Sequence, residues 1–157
     1  MRTSVKWSAV SAVVLIAGLF SAAVRADDAA VIDNRQSVMK AQGKDMTAIK
    51  AYIDDKADLT SAQGAGADLM VQVGKIPDLF PKGTGMNEFP GKSYAKPVVW
   101  TEWDKFAAQA KTAADKAAAL DKALKGGDKA AITAAFGDMG KNGCGACHEP
   151  YREKKPS

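Results

Sequence analysis

Both cysteines and the only histidine of the chain stand within five consecutive residues near its C-terminus, Cys144-Gly145-Ala146-Cys147-His148. Two thiols two residues apart, followed at once by a histidine, have the spacing of a c-type haem attachment. Each thiol adds across one haem vinyl group to form a thioether, and the adjoining imidazole is placed to bind the iron from one side. On a helix, Cys144, Cys147 and His148 fall at i, i+3 and i+4 and share one face. A flat macrocycle can then be bonded along that face and ligated from it.

Three other readings compete. A Cys-x-x-Cys can be a redox dithiol, but that use goes with a strand–helix–strand pattern, and none is found along the chain. It can be half of a zinc site, but two cysteines and one histidine leave a structural tetrahedral zinc one ligand short. It can also be a plain disulfide in an oxidising compartment.

The N-terminus bears on the compartment. Arg2 and Lys6 form a positive n-region, Val10 to Val24 are almost wholly apolar or small, and Val24-Arg25-Ala26 offers small residues at −3 and −1 of a cleavage site. This predicts a secretory signal peptide over residues 1–26, too short and too poorly flanked for a lasting membrane span. The rest, 27–157, is expected to form one domain in the periplasm, free of the membrane after cleavage. Of the 22 basic side chains, Arg2, Lys6 and Arg25 belong to the leader, which has no acidic residue. The remaining 19 face 18 acidic ones, a balance of +1. Nothing in so balanced a chain supports nucleic-acid binding, which wants a clustered basic surface. Lys141, Arg152, Lys154 and Lys155 offer either a basic rim near the motif or an ordinary solvated surface, and are read as the latter.

Between leader and motif the dominant signal is a three–four helical period. Ile32, Arg35, Met39, Gln42, Met46, Ile49 and Ile53 make one seam over Ala29 to Ile53. Arg35 and Gln42 are polar on that stripe, so something polar is expected to meet them. Thr60-Ser61-Ala62-Gln63 reads as a capping box behind Leu59. It opens a second helix whose inward face is Ala62, Ala65, Leu69, Val73 and Ile76, and which Pro77 ends. Gly64 and Gly66 are expected to allow close helix–helix approach. The Pro- and Gly-rich stretch from Pro77 to Lys96 contains Leu79, Phe80, Met86, Phe89 and Tyr94, and so should pack on the body rather than hang free.

A third helix is predicted from Pro97, with Val99, Trp103, Phe106, Ala110, Ala113, Ala117, Leu120 and Leu124 inward. Its alanines leave room for a neighbouring backbone or a flat ligand. Gly126-Gly127 closes it, and Asp128 caps a fourth that carries Ile132, Ala135, Phe136 and Met139 inward before reaching the cysteines. Gly137, Gly140, Gly143 and Gly145 disfavour helix there but give a bound ring space. Four amphipathic helices without strands predict an all-α fold, an antiparallel four-helix bundle with one covalently attached haem c between facing helices.

The sequence resembles the class II cytochromes c, the cytochrome c′ family and its low-spin relatives, over essentially all of 27–157. The resemblance rests on Arg35-Gln36-Ser37-Val38-Met39-Lys40, on Leu79-Phe80-Pro81 followed by Lys96-Pro97, and on Ala134-Ala135-Phe136-Gly137. At the C-terminus it adds Cys144-Gly145-Ala146-Cys147-His148-Glu149 with Tyr151-Arg152. It implies His148 as fifth iron ligand and, in many members, a homodimer through the first two helices.

The family divides over the sixth position. Some members leave it open beneath an apolar residue, and others fill it with a methionine of the first helix. Bis-histidine ligation is excluded, since no second histidine exists. Met39 stands where the family places its methionine ligand or its distal apolar residue, and the Arg-Gln-x-x-Met-Lys run looks closer to the low-spin branch. Met46 is read as core. The resemblance further implies that Arg35 pairs with a haem propionate, that Gln36 contacts the haem, and that Arg152 lies near its proximal side unless Pro150 ends the helix first.

With Met39 as ligand, the expected function is to carry single electrons between periplasmic redox partner proteins. With an open sixth position, the alternative is a five-coordinate protein that binds nitric oxide or carbon monoxide. No catalytic constellation is visible in the sequence, so no enzyme activity is expected.

Overall fold

The computed structural model describes the backbone of residues 14–154 and the side chains of 27–154. The n-region of the expected leader lies outside the described residues, as do the side chains of its cleavage site and Lys155. Among the described residues no helix is long and apolar enough to cross a membrane.

The first seam folds as α1 (Val14–Ile53). Along it Ile32, Arg35, Gln42 and Ile49 are buried, and Met39, Met46 and Ile53 are half-buried, as the three–four spacing requires. The second helix, α2 (Leu59–Gly74), starts two residues earlier than the sequence suggests. Asp58 is its cap, accepting from Ser61 N at 2.7 Å, so Thr60 already lies inside the helix. An aspartate serves as well as a threonine in that position, and here it comes first in the chain. The helix also stops short of Pro77, at Gly74. Pro77 instead sits in the first turn of a 3₁₀ helix, Ile76–Leu79, where its missing N–H is no loss.

Pro97 precedes a single turn, α3 (Val98–Thr101), which Glu102 breaks with φ −125° and ψ 46°. The long helix, α4 (Trp103–Gly126), begins after that break. The break corrects the expected seam. Trp103 is rotated outward and is 38% exposed, while Phe106 and the inward alanines keep their places. Gly127 ends α4 in the left-handed conformation, φ 75°, that glycine adopts without strain. Asp128 then caps α5 (Lys129–Asp138), accepting from Ala130 N at 2.8 Å and Ala131 N at 3.3 Å.

The glycine-dense stretch departs from α geometry. Met139–Gly145 is π-helical, with Ala146 N donating to Lys141 O five residues back, and α6 (Ala146–Tyr151) continues to the tail. Pro150 does not end α6 before Tyr151, and Arg152 N still reaches His148 O at 3.0 Å. Together α5, the π segment and α6 form the fourth rod.

α1 packs on α2, α2 on α4, α4 on α5 and the π segment, and α5 on α1, which closes a four-helix bundle. Its core holds Ile49, Leu69, Val73, Val99, Phe106, Leu120, Leu124, Ile132 and Met139. Each large apolar side chain so buried contributes about 1.5–3 kcal/mol. Among the described residues no strand forms; a single antiparallel bridge joins Ala95 to Arg152.

The connection from α2 to α4 packs down, as its apolar residues suggest. It covers the end of the bundle where α2 stops, α4 starts and α6 finishes. Lys96 N donates to Tyr151 O at 3.0 Å and Glu153 N to Tyr94 O at 2.8 Å, tying the connection to the tail.

Candidate haem-binding site

Beneath that covered end lies a mostly apolar cavity of about 480 Å³. Arg35, Gln36 and Met39 reach it from α1, and Cys144, Cys147 and His148 from the final rod. All six residues singled out in the sequence therefore line one space. Met46 does not line it. That side chain is half-buried against the core, and its Cε lies 4.0 Å from where a Cβ on Gly140 would stand.

The π segment shapes the wall. π-turns inside α-helices occur frequently at functional sites. A Cβ on Gly143 would stand 2.9 Å from Met139 Sδ and 3.7 Å from Ala113 Cα, so a glycine faces an alanine here. Ala113 also lines the cavity, which gives the narrow middle of α4 its use.

Burial sets the chemistry of the motif. It raises the Cys144 thiol, and it raises Cys147 to about 11, with the neighbouring Cys144 adding to the shift. A reactive redox dithiol needs a lowered thiol pKa, so the dithiol reading loses support. Both cysteines are free, and among the described residues no three His, Cys, Asp or Glu side chains gather as a metal cluster. Burial, and then the charge of Arg152, lowers the pKa of His148. The imidazole is thus held neutral, the form that binds a metal. Arg152 lines the cavity from the tail and is also exposed to solvent.

Arg35 is 5% exposed and spends its terminal N–H groups on the covering connection. Nη1 donates to Leu79 O at 3.4 Å and Thr84 Oγ1 at 3.2 Å, and Nη2 donates to Thr84 O and Ser93 Oγ, both at 2.9 Å. Its guanidinium also lies 4.5 Å from the centroid of the Phe80 ring. These are the polar groups that the seam demanded, and the sequence offered no sign that Thr84 and Ser93 would supply them. Every one is neutral. Among the described residues Arg35 has no carboxylate in ion-pair reach, and desolvation lowers its pKa to about 10. A buried cation beside a cavity and without a counter-ion suits an anionic guest.

Gln36 Nε2 donates to Lys92 O at 2.6 Å, so it too fastens the connection. Gln42, which sequence reasoning marked only as polar and inward, also lines the cavity, and its Nε2 has no partner among the described residues. The donor set therefore fits haem c: two thiols and an imidazole on one wall, a thioether on another, and a buried positive charge.

Comparison with known proteins agrees with this geometry. The sequence model of the family described as Cytochrome C′ matches residues 30–152. The chain is 34% identical over 125 residues to a cytochrome c′ of Pararhodospirillum photometricum, covering 79% of this chain and 97% of that one. It is 32% identical over 128 residues to a cytochrome c-556 of Agrobacterium tumefaciens, covering 79% and 98%. Among solved structures, the nitric oxide complex of a variant cytochrome c′ from Alcaligenes xylosoxidans superposes with a TM-score of 0.71. The two share 25% identity, over 82% of this chain and 97% of that chain.

Proposed function

The chain belongs to the cytochrome c′ family and is a c-type haem protein, and we propose that it carries single electrons through a haem iron held between His148 and Met39. One observation carries the reading. Met39 of α1 and the Cys144–Cys147–His148 face of the final rod line the same cavity.

In this reading Cys144 and Cys147 form the two thioethers. Haem c bound there supplies a one-electron couple, and histidine–methionine ligation suits electron transfer. His148, kept neutral by burial, gives the proximal nitrogen. Met39 would supply a thioether sulfur to the iron. Arg35 would offer a propionate its buried charge, which no carboxylate among the described residues offsets while its terminal N–H groups are held by neutral acceptors. Gln36 stands beside it and holds the connection at Lys92 O.

We assign residues 1–26 to a cleaved leader and the haem domain, 27–157, to the periplasm, with redox proteins there as partners. A homodimer through α1 and α2 is consistent with Val71, 52% exposed on α2.

The test is a spectrum of the haem-loaded protein. A far-red charge-transfer band in the oxidised form, lost in Met39→Ala, is the expected result. A high-spin spectrum unchanged by that substitution would defeat ligation by Met39. It would favour the second reading, an open site for nitric oxide or carbon monoxide, to which the resemblance to a nitric oxide complex lends support.

A further inference from the structure

Gln42 stands one turn beyond Met39 on the inward side of α1. It is 8% exposed and lines the cavity, and its Nε2 has no hydrogen-bond partner among the described residues. An unsatisfied buried donor costs about 1–3 kcal/mol, so an amide in an apolar wall needs a reason. Val73 and Ile76, which line the cavity from α2 and the turn after it, offer no side-chain acceptor. Gln72 Oε1 on α2 is also unpartnered. Gln72, however, does not line the cavity and turns its own Nε2 to Asp45 at 3.1 Å.

The direction of the side chain follows from helix geometry. Long side chains on an α-helix lean toward its N-terminus and lie over the preceding turn. Positions three apart have Cβ atoms about 5–6 Å from each other. That geometry favours Met39 over Met46 as the neighbour of the Gln42 amide, and Met39, unlike Met46, lines the same cavity.

We propose that Gln42 Nε2–H is the hydrogen-bond donor to the atom that stands over the iron on the α1 side. In the six-coordinate reading that atom is the Met39 sulfur; in the open reading it belongs to a bound diatomic ligand. The proposal rests on the haem reading of the cavity but not on ligation by Met39. The positive end of the N–H dipole points toward the iron and disfavours the extra charge of the ferric state. The residue acts through the axial ligand, as outer-shell partners do at metal sites.

The experiment compares haem-loaded wild type with Gln42→Leu and with Gln42→Met, a near match in shape should the first fold poorly. Where wild type shows the far-red band, removing the donor shifts the redox equilibrium toward ferric by up to about tenfold, or ~59 mV for one electron. Where wild type is high-spin, the ferrous carbon monoxide complex instead shows a raised C–O stretching frequency and dissociates a few-fold faster. An unchanged potential or stretch, with a higher unfolding temperature, would overturn the proposal and mark the amide as an orphan or a partner of Gln72. Loss of the far-red band in Met39→Ala reports on the sixth ligand alone, so the two ideas fail separately. Colourless protein would overturn the haem reading and this proposal with it.

Discussion

Arg35 holds Thr84 twice, donating to its hydroxyl at 3.2 Å and to its carbonyl at 2.9 Å across 49 positions of sequence. Arg35 thereby ties the covering connection to α1 at Thr84 and Ser93, while Gln36 holds it at Lys92 O. Arg35→Met removes the donors but also the buried charge, and Thr84 Oγ1 keeps its bond to Pro81 O at 2.8 Å. The net loss is expected to be about 1–3 kcal/mol. Amide exchange should locate it, with residues 77–96 losing protection well before α2 and α4. Arg35→Lys should recover less than half, because an ammonium cannot reproduce the planar fork. Uniform protection in both variants would contradict this role.

The bundle was legible because burial imposes the three–four period directly on residue choice, and the haem motif because its chemistry fixes three residue types at one spacing. What escaped depended on contacts far apart in sequence or on backbone geometry without a side-chain signature. Asp58 and Thr60 are both good caps, and only the path of the chain from α1 decides between them. Trp103 kept the period yet turned outward, because Glu102 breaks the helix just before it. The π-turn was signalled only as a density of glycine, which marks tolerance and not a particular hydrogen-bond pattern.

Gly64 and Gly66 look alike in sequence and differ in space. A Cβ on Gly64 meets nothing within 4 Å, whereas one on Gly66 would collide with Leu124 Cδ1, in a side chain that is itself fully buried. Gly64→Ala should stabilise the protein by about 0.5–1 kcal/mol through helix propensity alone. Gly66→Ala should lose that gain to overpacking, which typically costs about 1–3 kcal/mol. Urea unfolding of the two variants checks the contrast, and equal stabilisation by both would refute the close approach of α2 to α4.

Asp45 carries a pH dependence. Burial raises its pKa above the usual carboxylate value, the charge of Asp68 adds to the rise, and the Gln72 hydrogen bond opposes it. The folded state thus holds this proton more tightly than the unfolded chain does. Stability from this group is full below the unfolded value and falls as pH rises through the folded one. Asp45→Asn should match wild type in acid and become the more stable form as pH climbs past the carboxylate range. Unfolding midpoints measured from acid to neutral pH test the sign. A gap that narrowed with rising pH would reverse it.

In the proposed site, covalent attachment and iron ligation fall to different residues of one helix face, and substitution should separate them. Cys144→Ser and Cys147→Ser each leave one thiol able to form a thioether. Colour should therefore survive denaturation in either single variant and vanish in the double one. His148→Ala keeps both thioethers, so its colour should persist on a denaturing gel while the native spectrum loses its proximal-imidazole character. The two observables are independent because, in the proposed site, the cysteines would bond the periphery of the ring and the imidazole its metal. If the single variants had already lost all denaturation-resistant colour, attachment would require both thiols at once. If His148→Ala left the native spectrum intact, the proximal ligand would have to be sought elsewhere along the cavity wall.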